Sequence, residues 1–315
     1  MLRVALGRIA ALIPLLIVAS FAAFLLLQLT STDPATVRLG DTATDEAYAA
    51  FRHDIGVDRP VLVQYGSWLA GAVRGDLGVS WTSSTPVTEL LATRLPVTLS
   101  ITVGALVVGL VIGIPAGIAA GIRAGRSTDS LMTGGASLGQ AVPSFWLALM
   151  LVAYVAMKTP LFPATGYVSI GDGGVGDWLR SIALPSFALG AAAAGAFARQ
   201  TRAGYVRVLH EPYIRTAVAG GLDRRRILWR TALRNAAVPV VTTVAGQAAV
   251  LVGGAVIIEQ VFALPGLGQL VLNAIRNGDM PIVLGFVAMM ALLMALIQFL
   301  LDLAYALVDP RVRAA

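Results

Sequence analysis

The chain has 315 residues, of which 57% are hydrophobic and 13% charged, and its mean hydropathy is +0.80. That charge content lies well below the ~25% usual for soluble domains, which excludes a water-soluble globular protein and leaves a membrane chain. Without cysteine there are no disulfides, thiolate nucleophiles or cysteine metal sites, and the net charge of +6 rests on arginines beside apolar runs, which points to membrane orientation and away from nucleic acid.

A hydrocarbon core ~30 Å thick requires roughly 20 apolar residues per helix. Six stretches meet or approach that length, at about 9–29, 97–121, 131–157, 181–199, 238–262 and 281–307. The first follows Arg3 and Arg8 as a secretory leader would. It stays apolar through Phe24–Leu29, past any small-residue cleavage site near Ala19–Ala22, and so reads as a retained span.

Segment 30–95 follows, rich in acids such as Asp33, Asp41, Asp45, Glu46, Asp54 and Asp58. It is too long for a turn and, in "VLVQYGSWLAGAV", too apolar for disorder; a partly helical external subdomain is expected. The second, fourth and fifth spans contain "GLVIGIPAGIAAG", "ALGAAAAGAFA" and "AGQAAVLVGGA", where small residues let helix backbones approach closely in lipid. Pro115 and Pro143 fall inside spans and each removes a backbone hydrogen bond, inviting a kink that either lines a pathway or is structural. "PLFPATGYVSIGDGGVGDW" at 160–178 reads as irregular structure outside the membrane.

With the N-terminus inside, Arg3, Arg8, Arg123, Arg126, nine arginines from Arg199 to Arg234, and Arg311 and Arg313 all fall on the cytoplasmic side. Both termini are therefore expected to be cytoplasmic.

The stretch "EPYIRTAVAGGLDRRRILWRTALRNAAVP", 211–239, departs from the apolar pattern. Pro212 suits a first helical position, Gly220–Gly221 ends that short helix, and Asp223 caps a second one. In the second helix Arg226, Arg230 and Arg234 recur every four residues as a basic stripe, with Leu228, Ala232 and Ala236 roughly opposite. An interfacial element held by anionic lipid is one reading. The first helix instead offers a small knob, Tyr213, Ile214, Thr216, Ala217, Val218 and Ala219 with Arg215, suited to a protein groove.

"YIRTAVAGGLDRRRILWRTALRNAAVPVV" resembles the cytoplasmic EAA loop of ABC importer permeases, in the form typical of the dipeptide and oligopeptide permease family. "IGVDRPVLVQYGSWLAGAVRGDLGVSW", "RLPVTLSIT", "VPSFWLALML", "ALPGLGQLV" and "DLAYALVDPRVR" are similar to that family in the same order, so the resemblance covers essentially the whole chain. Thr216 stands at the acidic position that names the motif, Val218 at its second alanine and Gly220 where lysine is common, whereas Gly221 matches the turn glycine.

The resemblance implies an all-α integral membrane protein of six transmembrane helices, like a type I ABC importer permease. Its parts would be residues 1–29 with the first span, the external subdomain 30–95, a core permease domain 96–309 containing the coupling loop 211–236, and a cytoplasmic tail 310–315. It further implies half of a translocation pathway for peptides or a related small solute in the bacterial inner membrane. The expected partners are a second permease, two cytoplasmic ATP-binding subunits and an external solute-binding protein. ATP and magnesium would be bound by those ATPase subunits, since this chain has no phosphate-cradling G-x-x-x-x-G-K-[ST] loop, no catalytic residues and no metal site of its own. The residues implied in ATPase coupling are Tyr213, Ile214, Arg215, Thr216, Ala217, Ala219, Gly221 and Leu222.

Two other readings have sequence support. "GVGD" at 174–177 matches the pattern of intramembrane aspartyl proteases, with Asp302 as second carboxylate, but falls in a glycine-rich external loop. Asp302 inside the sixth span, costing about 2.5–3.5 kcal/mol at a bilayer centre, also fits an ion- or proton-coupled secondary transporter, although it is the only firmly intramembrane acid, Glu259 lies near a span end, and six spans without evident internal inversion are few for that mechanism.

Overall fold

The computed structural model describes residues 2–29 and 32–308, with side chains placed for 13–29, 32–233, 235, 236 and 239–300. In chain order the helices are α1 (Leu2–Gln28), α2 (Pro34–Leu39), α3 (Asp45–Ile55), α4 (Val61–Ala72), α5 (Val87–Ile122), α6 (Ser127–Ala141) and α7 (Ser144–Leu151). They continue with α8 (Ile170–Leu209), α9 (Pro212–Ala219), α10 (Arg224–Arg226), α11 (Leu233–Val261), α12 (Leu267–Arg276) and α13 (Met280–Val308). π-helical turns at Val152–Ala156 and Ile227–Ala232 extend α7 and join α10 to α11. Among the described residues the one β-type pairing is an isolated bridge between Val79 and Pro86.

Four helical segments are long and apolar enough to cross a membrane: Val87–Ile122, Ile170–Leu209, Pro239–Val261 and Met280–Leu300. Ile13–Gln28 is a shorter apolar helix. The stretch expected as one span at 131–157 is instead two helices bent by 93° at Val142–Pro143. The cause is local, because proline disfavours helical geometry in the residue before it and Val142 is extended at φ −77°, ψ 121°. By contrast Pro115 lies inside the continuous α5. The loop expected to be irregular through residue 178 turns helical at Ile170, where the Ser169 hydroxyl accepts from the Asp172 N–H; only Gly174, at φ 70°, interrupts it.

The chain forms two compact units, the first within Met1–Val97 and Pro265–Leu296, the second within Thr98–Leu264 and Ile297–Ala315. In the first, Phe24, Tyr65, Met280 and Leu284 make one core, with Phe21, Trp68 and Trp81 packed against it. Tyr65 packs its ring edge against Phe21 and shares a 2.9 Å hydrogen bond with Ser20, so an aromatic body is buried with its hydroxyl satisfied. A second core joins Val87 and Leu91 of α5 to Leu267, Val271 and Ala274, which recur along α12 at helical spacing.

In the second unit α5 lies along α8 through a seam of glycines four residues apart, Gly109, Gly113, Gly117 and Gly121. A Cβ on Gly117 would stand 2.5 Å from the Ala198 carbonyl oxygen, and one on Gly121 would stand 2.6 Å from Tyr205 Cβ. The backbones touch because no side chain separates them, which is how helices gain dispersion contact where lipid supplies no hydrophobic drive.

Candidate functional site

The helix α9 follows α8 after a two-residue break and is set by its sequence at both ends. Pro212 occupies the first turn, where its missing N–H has no helical partner to lose. At the other end the Leu222 N–H bonds the Ala217 carbonyl at 3.1 Å and the Gly221 N–H bonds Val218 at 3.0 Å. This is the Schellman pattern, and it places Gly221 in the left-handed region at φ +76°. A Cβ there would meet no atom within 4 Å, so the demand for glycine is conformational and not steric.

Of the expected coupling residues, Ile214 is buried and Ala217 half-buried, both packed on the core of Ile118, Tyr205, Val208, Ile227, Ala232 and Ala236. Tyr213, Arg215, Thr216, Ala219, Gly221 and Leu222 are exposed, as is Val218. The segment thus divides into an anchoring side and a free side. Asn235 of α11 donates to the Tyr213 hydroxyl at 3.2 Å and to the Thr231 carbonyl at 2.9 Å, tying the knob to the start of that helix.

The arginine-bearing segment differs from a regular α-helix. Asp223 caps it, accepting from the Arg225 N–H at 3.2 Å, and the π-turn Ile227–Ala232 then follows. The wider turn changes the register, so Ile227, and not Leu228, is buried with Ala232 and Ala236. The Leu228 carbonyl accepts both the Leu233 N–H and, at 3.3 Å, the hydroxyl of buried Tyr205. Arg226 and Arg230 are exposed, and the Arg234 side chain lies outside the described residues.

A support that sequence reasoning missed stands nearby. Arg202 of α8 donates through Nε and Nη2 to the two oxygens of Asp129 at 2.5 and 2.7 Å. The same carboxylate accepts from the Gly125 N–H at 2.9 Å and the Thr133 hydroxyl at 3.2 Å, so a nearly buried acid is fully satisfied and binds the α5–α6 turn to α8. Seventy-three positions separate the partners, and no local pattern announces such a pair.

Glu259 is fully buried and accepts from Thr98 Oγ1 at 2.5 Å. Asp177 of "GVGD" is exposed and paired with Arg180 at 3.1 Å, an arrangement unlike a buried catalytic acid; the Asp302 side chain lies outside the described residues.

Residues 113–314 match the family of binding-protein-dependent transport system inner membrane components, and residues 1–102 match the N-terminal part of such membrane components. The chain is 39% identical over 308 residues, 98% of each chain, to a peptide transport system permease protein of Brucella abortus. It is 33% identical over 336 residues, 99% of each chain, to the dipeptide transport system permease protein DppB of Escherichia coli K12. Its fold is shared with a chain of the MetNI methionine ABC transporter in an inward-facing conformation, at a TM-score of 0.54, 20% identity and coverage of 70% of this chain and 97% of that one. With α9 and its glycine turn inside the matched region, the chain belongs to the family of inner-membrane permease components of binding-protein-dependent transport systems.

Proposed function

We propose that this permease serves an ATP-driven importer of peptides or related small solutes, and that α9 is the part its ATPase moves. Solute passes between this chain and a second permease. Two cytoplasmic ATP-binding subunits drive the pair, and an external solute-binding protein delivers the cargo. The chain crosses the bacterial inner membrane six times with both ends in the cytoplasm; Ile13–Gln28 and the bent pair α6–α7 supply two of those crossings. Segment 30–95 lies outside and the loop 211–236 inside. The chain itself catalyses nothing.

The observation that carries this reading is the two-sided α9: Ile214 anchored on the home bundle, Arg215, Thr216, Val218 and Ala219 free, and a Schellman turn closing the end. A short helix held on one side and bare on the other transmits displacement instead of absorbing it. The absence of native cysteine makes the test simple. In the assembled transporter, Val218→Cys should crosslink to a single cysteine in the ATPase groove within seconds, and Ile214→Cys, facing inward, should not. Crosslinking at Ile214 alone would contradict the assignment.

A further inference from the structure

The first unit carries an open cavity of about 470 Å³, within the range of small-molecule sites. Phe24, Trp68, Trp81 and Leu284 supply apolar wall, and Asp54 and Arg59 also line it. Each wall is fixed by backbone contacts. α3 ends at Gly56 in the left-handed region, φ 74°, which sets the turn carrying Arg59. Gln64 Nε2 then donates to the carbonyls of Val57 and Arg59 at 3.0 and 2.8 Å. On the opposite side the loop bearing Trp81 is clasped by Asp279, wholly buried, whose Oδ2 accepts from Ser80 Oγ at 2.6 Å and from the Thr82 N–H and hydroxyl at 3.1 and 2.7 Å.

The charges around this turn sort unevenly. Arg52 pairs with Asp33, holding that carboxyl below its ordinary value, and His53 pairs with Asp58 at 2.7 Å. Asp54 and Arg59, of opposite sign and lining one cavity, form no ion pair among the described residues, with each other or with a neighbour, although the Arg59 charge also helps to lower the Asp58 carboxyl beside it. One anion and one cation held apart beside an aromatic wall are complementary to a molecule carrying an ammonium and a carboxylate on either side of an apolar group.

We propose that this cavity is a binding site for a short zwitterionic peptide, with Asp54 receiving the ammonium end, Arg59 the carboxylate, and Trp68 and Trp81 covering the side chain. The site rests on the reading of peptides as cargo and adds a contact on segment 30–95 itself.

Trp68 and Trp81 provide the signal for a test. The full-length chain in phosphatidylglycerol nanodiscs is titrated with the dipeptide Ala-Leu, which has no fluorescence of its own, while tryptophan emission is followed. A saturable change is expected. Asp54→Asn and Arg59→Gln, both at exposed positions, should each raise Kd by about tenfold or more, the loss of one charge-assisted contact, with the melting temperature unchanged. The blocked analogue N-acetyl-Ala-Leu-amide, which lacks both charges, should lose the product of the two factors, about a hundredfold or more. No saturable change, or one that both variants retain, overturns the proposal. So does a change produced by phosphatidylethanolamine nanodiscs alone and lost in both variants, since the cavity would then hold a lipid headgroup. Uptake of labelled Ala-Leu by cells expressing the complete transporter separates the two claims: uptake without cavity binding sinks the cavity alone, and absence of uptake sinks the cargo reading.

Discussion

Two regions of the chain, the α5–α8 seam in the second unit and the loop 80–82 in the first, are each held by different physics. Along the seam, Gly113 and Gly117 of α5 meet the α8 backbone at Ala194 and Ala198, and Gly109 and Gly121 admit the side chains of Phe197 and Tyr205, so the contact there is mainly dispersion. In the first unit, the loop 80–82 is held by one buried carboxylate, and Tyr65 sits among aromatic rings with its hydroxyl bonded. Apolar surroundings reward close dispersion contact, because helices there gain nothing from excluding water. A compact unit built of short helices and loops has many backbone ends to satisfy, and directional hydrogen bonds fix them.

This contrast predicts a graded response to substitution. The largest loss belongs to the seam. Gly117→Leu drives a side chain into the Ala198 carbonyl and Thr201, which no rotamer relieves, and should cost about 3 kcal/mol or more, the upper end for overpacking. Melting followed by size-exclusion chromatography in detergent should register it as a large fall in midpoint or as no recoverable protein. An unchanged midpoint would mean that the two helices are not in contact.

A smaller effect is expected from Asp279→Ala, which strips the acceptor from Ser80 and Thr82 and leaves donors unpaired, at about 1–3 kcal/mol. Proteolysis should then cut near 80–82 sooner while sites in α8 remain protected. Equal acceleration at both places would show that the clasp supports the whole molecule and not one loop.

The parts of this architecture that follow from local chemistry were legible in the sequence. The apolar runs, Pro212 at a helix start, the Gly220–Gly221 stop and the Asp223 cap each act within a few residues of themselves, and each has a local pattern. The abundance of small residues in the second, fourth and fifth spans belongs with them, whereas the pairing of α5 glycines with α8 does not. What stayed hidden depends on partners distant in sequence or on small changes of helical register. Asp129 meets Arg202, and Asp279 meets Ser80 across 199 positions. The π-turn at 227–232 makes Ile227 the buried residue where strict four-residue spacing selected Leu228. The local reading grouped Ile214 with its neighbours in the knob, and its burial against Ile118, Tyr205 and Val208 shows only in the packing of α9.

The proposed coupling rests on the left-handed turn at Gly221 setting the direction of α9, through which a cytoplasmic ATPase subunit would act on this permease. A β-branched residue at φ +76° costs about 1–2 kcal/mol locally, less than Gly117→Leu and within the range of Asp279→Ala, yet on the proposed coupling it acts where the ATPase would push. The most direct measurement is the number of ATP molecules hydrolysed per solute imported by reconstituted transporter bearing Gly221→Val or Gly221→Asn. Asparagine tolerates the left-handed region and should keep the ratio near that of the unmodified protein, whereas valine should leave the complex assembled and raise the ratio several-fold. Normal coupling in the valine variant would contradict the account.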